Sequence, residues 1–248
     1  LIDAAERRTE AVDPAVNALP IRFFDAAREA ARTLPEAPEG SRAWLAGLPI
    51  VVKDLSNVAG QRTTMGGSGL FEDTVAAASS HDVARLQANG ALPVAKATSP
   101  EFGFNATTCS ELFGCTRNPW NTARSTAGSS GGSAAALAAG MAWLATGSDL
   151  GASIRAPAGF CGVVGLRPSP GPAPRGPGAT PFNLLSVAGP MARTVGDVAL
   201  MLDAMVGHAP ADPLSFPPPP GRFREGLERD PGPLRVGVST DLGITRCH

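Results

Sequence analysis

Apolar positions in this chain come in short blocks set between proline, glycine and charged residues, not in long runs. Residues 21–32, IRFFDAAREAAR, space apolar side chains three and four apart with charges between, which predicts an amphipathic helix. Residues 34–43, rich in Pro, Glu and Gly, read as a loop. The block LPIVV at 48–52 is of strand type and ends on Lys53 and Asp54. A helix is predicted over 79–89, with Ser79 or Ser80 as N-cap and Gly90 as its stop. ALPVA at 91–95 then reads as a second buried strand. Strand, helix, strand predicts an α/β fold: a mixed, partly parallel sheet flanked by helices.

Further on, GSSGGS at 128–133 predicts a small-residue loop leading into an apolar helix over 133–143. Residues 144–148 suit another strand, followed by the loop DLGASIRAP, in which Pro157 suits the first turn of a helix. Residues 168–181 are dense in Pro and Gly and predict an irregular excursion. Thr194 with Asp197 approximates a capping box, opening a helix to about residue 206. Residues 209–232 are Pro-rich and linker-like, and LRVGV at 234–238 reads as the start of a further strand.

Composition narrows the function classes. A net charge of −1, with basic residues scattered, gives no electrostatic case for nucleic acid or an anionic membrane. No run of 18 apolar residues occurs, so no membrane span is expected. The four cysteines, Cys109, Cys115, Cys161 and Cys247, match neither a zinc spacing nor a CxxC pair, and read as small buried thiols. His81, His208 and His248 lie too far apart in sequence to suggest a metal site. No metal and no organic cofactor are expected.

Three places carry candidate chemistry. The run from Thr126 to Ser133 clusters backbone N–H groups and hydroxyls at close range, which suits proton relay or anion stabilisation. It contains G-x-S-x-G centred on Ser130, the pattern of a nucleophile elbow. An elbow needs a strand directly before it and a later histidine. Residues 118–124 are polar and carry a Pro, and make a poor strand, and only His208 and His248 follow. The second place is Ser148 to Arg155: small residues before Ser153 let successive N–H groups point into one concavity. Arg155 there could bind a substrate anion or pair with Asp149 or another carboxylate, and the structural pairing is the favoured reading. The third is Lys53, which burial would turn into a neutral base near pH 7.

In order, GLPIVVKD (47–54), TRNPWN (116–121), GSSGGSAAALAAG (128–140), GSDLGASIRAPAGFCGVVGLRP (147–168) and GPMARTVGDVALML (189–202) resemble the amidase signature family, with little interruption from about residue 19 to 206. The resemblance implies Lys53 as base, Ser129 as bridging serine after a cis Gly128–Ser129 bond, and Ser153 as nucleophile. It implies an oxyanion hole at Leu150, Gly151, Ala152 and Ser153, with Ser130, Asp149 and Arg155 in support. Ala152 and Ala127 stand where the family has Gly, so a positive φ at either would be strained.

The implied function is hydrolysis of a small-molecule carboxylic amide through an acyl-enzyme, in the cytoplasm, with no nucleic acid or membrane partner and homo-oligomerisation left open. Alternatives are an amidase subunit of a glutamine (glutamyl-tRNA) amidotransferase, or an inactive remnant or binding module. Family enzymes are nearly twice this long, so residues 1–208 are expected to be the N-terminal part of one amidase domain. Residues 209–232 would be a connection and 233–248 the start of a truncated C-terminal half. The first residue, Leu1, suggests that the true N-terminus lies further upstream.

Overall fold

The computed structural model describes residues 1–175, 180, 182–239, 241 and 243; Cys247 and His248 lie outside them. Helix α1 spans Ile2–Val16, β1 Ile21–Arg22, α2 Phe24–Arg32, β2 Pro49–Lys53, α3 His81–Ala88 and β3 Leu92–Ala97. Two small hairpins follow: β4 (Cys109–Ser110) with β5 (Gly114–Cys115), and β6 (Arg117–Asn118) with β7 (Asn121–Ser125). Then come α4 (Gly131–Ala138), β8 (Leu144–Asp149), α5 (Arg155–Cys161), β9 (Val164–Gly165), β10 (Val187–Ala192), α6 (Val195–Met205) and α7 (Phe223–Gly226). No helix among the described residues is long and apolar enough to cross a membrane.

The main sheet runs β1-β3-β2-β8-β10-β9. Its centre, β3-β2-β8, is parallel, and β10 and both edges are antiparallel, so the sheet is mixed as expected. Every residue of β2, β3 and β10 is buried, which is why β2 reads as a continuous apolar run and not as an alternation. Alternation still sorts the faces. Val51, Ala95 and Ala145 pack with α1, α2, α4 and α5, while Ile50, Val52 and Leu144 pack with α3 and α6.

Several expectations change. The apolar helix starts earlier and ends sooner, at Gly131–Ala138, because Gly140 at φ +74° turns the chain toward β8. Residues 121–125 do form a strand, but in an exposed hairpin of their own and not in the main sheet. Residues 234–238 form no strand, having no partner strand to pair with among the described residues. The buried-thiol reading holds for Cys161, but Cys109 and Cys115 are opposite each other in the β4–β5 register and are joined by a disulfide. The helix cap at Thr194 forms, its Oγ1 accepting from the Asp197 N–H at 3.1 Å.

Candidate active site

Lys53 closes β2. Its side chain follows Val51 to the α4 side of the sheet, since residues two apart on a strand share a face. There it is 1% exposed, with its backbone N–H given to Thr146 Oγ1 at 2.9 Å. Lys53 Nζ lies 2.7 Å from Ser129 Oγ and 3.0 Å from Ser148 Oγ, with Ser148 O at 3.4 Å. Burial draws its pKa down from 10.5 to about 7, against the attraction of Asp149 and with help from Arg175.

Ser129 follows a cis peptide bond from Gly128, in the loop that opens α4. Its neighbour Ser130 is fully buried and faces the Ser148 main chain, its Oγ at 3.4 Å from both Ser148 N and Ser148 O. Ser130 is therefore a brace, and the elbow reading of G-x-S-x-G finds no exposed nucleophile. The Ser130 N–H donates to Ser153 O at 3.0 Å, which ties the two serine loops together.

Asp149 organises the second loop. Its buried carboxylate accepts from the N–H of Ala152 at 2.8 Å and of Ile154 at 3.1 Å, and from Arg155 Nε at 3.0 Å and Nη2 at 3.1 Å. Arg167 Nη1 adds a second cation at 3.3 Å. Burial alone would raise the Asp149 pKa. The Arg155 hydrogen bonds and the backbone donors outweigh it and hold the carboxyl at about 2. Ile154, fully buried, pins the loop from below. Above it Leu150 is exposed and Ser153 half-buried, so the Ser153 end is open to a ligand.

Within the segment expected to hold an oxyanion, the Ala152 N–H is spent on Asp149, whereas those of Gly151 and Ser153 carry no hydrogen bond among the described residues. Ala152 has φ +77° and Ala127 φ +56°, the left-handed conformation the sequence warned of at both. Ala152→Gly should therefore stabilise the fold by about 1 kcal/mol, read as a higher urea midpoint; an unchanged or lower midpoint would remove strain from the description of this loop.

The sequence motifs included Ser148 but not its contact with Lys53, and they left out Thr146. Both sit at alternate positions of β8, the strand beside β2 that ends on Asp149, and that polar i, i+2 pair was the available signal. The sequence reading also missed Lys96, which lies near the end of β3 as Lys53 ends β2. Lys96 Nζ is 2.8 Å from Asp54 Oδ1, both fully buried on the opposite face. Burial lowers the Lys96 pKa too, against the pull of Asp54, but its amine is bound to Asp54 and Thr63 and makes no hydrogen bond to either serine loop among the described residues, which leaves Lys53 as the candidate.

The chain is 40% identical over 247 residues to the 6-aminohexanoate-cyclic-dimer hydrolase of Pseudomonas sp. (strain NK87), covering 97% of this chain and 48% of that protein. It is 44% identical over 238 residues to a glutamyl-tRNA(Gln) amidotransferase subunit of Thermus thermophilus, covering 94% and 48%. A solved 6-aminohexanoate cyclic dimer hydrolase complexed with substrate superposes with a TM-score of 0.87 at 36% identity, covering 96% of this chain and 49% of that one. The chain thus spans about half the length of the curated relatives it matches. The family model described as Amidase matches residues 1–248, and the chain belongs to the amidase (amidase signature) family.

Proposed function

We propose that the chain carries a serine amidohydrolase centre in which Lys53, Ser129 and Ser153 relay a proton. The observation that carries this reading is the wholly buried Lys53 Nζ at 2.7 Å from Ser129 Oγ, in a loop whose next N–H binds Ser153 O. With a pKa near 7 the lysine is substantially neutral at physiological pH. Neutral Lys53 takes the Ser129 proton, and Ser129 takes that of Ser153, whose oxygen attacks the amide carbon. The N–H groups of Gly151 and Ser153 receive the oxyanion, each such donor contributing about 3–4 kcal/mol to the transition state. The relay then runs backward, the amine leaves protonated, and water cleaves the acyl-enzyme. Asp149 and Arg155 hold the loop and Ser130 joins it to the Ser129 loop.

The substrate in this reading is a small carboxylic amide met in the cytoplasm. A serine-directed fluorophosphonate should label Ser153 and lose that adduct in Ser153→Ala. Labelling that persists in the variant, or settles on Ser130, would overturn the assignment. The 44% identity to an amidotransferase subunit supports a second reading, in which the same centre releases ammonia from glutamine. Activity that appears only with partner subunits and charged tRNA would select it over simple amide hydrolysis.

A further inference from the structure

The segment 105–108, which leads directly into the β4–β5 hairpin, lies against the loop that carries Ser129. A Cβ added at Gly128 would sit 2.7 Å from Asn105 O, 3.0 Å from Ala106 C and 3.1 Å from Thr107 N, so the two backbones touch. Buried Thr108 donates its Oγ1 to Ala127 O at 2.8 Å, and a Cβ at Gly131 would overlap that same Oγ1. Ala127 is one of three alanines with positive φ among the described residues, beside Ala46 and Ala152, and a left-handed alanine persists only where its surroundings hold it. Thr108 is part of that hold, and it precedes Cys109 directly.

The hairpin's own ladder is short, and the hold from outside it comes from Thr116 N–H to Thr108 O at 2.9 Å, Leu112 N–H to Gly67 O at 3.3 Å and Asn17 Nδ2 to Phe113 O at 2.6 Å. Its register contains two pairs, Cys109↔Cys115 and Ser110↔Gly114, and so short a ribbon is marginal by itself. The disulfide joins the first pair. Cys115 is exposed and Cys109 half-buried, so a reductant can reach the bond. Cys161 differs: it is fully buried, and burial pushes its thiol up to about 12, which leaves it inert.

We propose that Cys109–Cys115 is a reversible thiol–disulfide modification site that sets the position of the Ser129 loop; its effect on catalysis rests on the amidase centre proposed above. The co-reactant is a dithiol. Its thiolate attacks the exposed Cys115 Sγ, and Cys109 leaves as a thiolate and takes a proton. The reductant's second thiol then displaces Cys115, which also takes a proton. Two electrons and two protons pass to the chain, the dithiol becomes a disulfide, and the reduced hairpin frays and frees Thr108 from Ala127.

The test uses the purified protein, with dithiothreitol as the dithiol. Alkylation by iodoacetamide under denaturation, followed by peptide mass spectrometry, should modify Cys161 always and Cys109 and Cys115 only after reduction. Amide hydrogen exchange on the native protein should quicken in peptides over 126–131 on reduction and recover on reoxidation. Fluorophosphonate labelling of Ser153 should slow by about tenfold, as expected for a misplaced catalytic group. C109S/C115S should behave as the reduced form and ignore the reductant; if it does not fold, reduction and reoxidation of the wild-type chain decide alone. Alkylation of both cysteines without reductant, or exchange at 126–131 that reduction leaves unchanged, would overturn the proposal. Exchange that responds, with no labelling in either state, would uphold the site and count against the amidase centre.

Discussion

Under the proposed relay, Lys53→Met should fold and yet hydrolyse amides about a thousandfold more slowly than the parent, the scale of a lost general base. Methionine approximates the lysine stem and removes the one amine that lies 2.7 Å from Ser129 Oγ. Loss of fold is not the expected cause. The unfolded lysine titrates at 10.5 and the folded one near 7, so between those values the folded chain binds fewer protons. Stability therefore rises with pH across that window, and the penalty of burying Lys53, a few kcal/mol by the size of such a shift, is fully present below about pH 7. The methionine variant escapes it and should be at least as stable, most clearly in acid. The parent's turnover should fall as pH drops below about 7, where the lysine becomes charged and can accept no proton. Lys53→Arg should be inactive at every pH, because guanidinium keeps its proton. Rates and urea midpoints measured together from about pH 5 to 9 test the scheme. A Lys53→Met enzyme within tenfold of the parent would remove Lys53 from the mechanism.

Gly132→Ala should strongly destabilise the fold. A Cβ there would overlap Thr98 N and Oγ1 and lie 2.7 Å from Thr98 O. The first turn of α4 rests on the end of β3 at this point, with the Gly132 N–H donating to Thr98 O at 3.1 Å. The obstruction is largely backbone at the edge of the central sheet, and it cannot rotate away. Overpacking of this kind costs about 3 kcal/mol, a large part of the roughly 5–15 kcal/mol that holds an ordinary domain together. Gly151 supplies the contrast, because a Cβ there meets nothing within 4 Å. Urea midpoints of Gly132→Ala and Gly151→Ala, compared with the parent, should differ strongly in the first and little in the second. Equal midpoints would mean that β3 and α4 are not in the contact described.

What the chain discloses in advance depends on whether a segment's environment is local. The block before Lys53 was legible because apolar side chains fill both faces of β2. Helix α1 was not. Its buried stripe runs through Thr9 and Asp13, and Asp13 is inside because its carboxylate takes the N–H groups of Ala18 and Leu19 and pairs with Arg22. Strand β10 was hidden by Gly189 and Pro190, which sequence patterns assign to turns. The three site residues stood out as motifs, whereas their condition did not. That Lys53 is dry depends on Thr146 and Ser148, 93 and 95 residues away. That Ala152 is left-handed was foreseeable only as a conditional.

The placement of Lys53 beside β8 also bears on the order of assembly. Strand β2 meets β3 in five register pairs but β8 in only two, Ile50↔Leu144 and Val51↔Ala145. The local βαβ unit can close first, since nearer contacts cost less chain entropy. In such an intermediate the lysine would still lack the hydroxyls of Thr146 and Ser148. Docking of β8 is then the step that dries the amine and expels its proton, so refolding between pH 7 and 10.5 should acidify a weakly buffered solution late in the reaction, together with the appearance of a competent site.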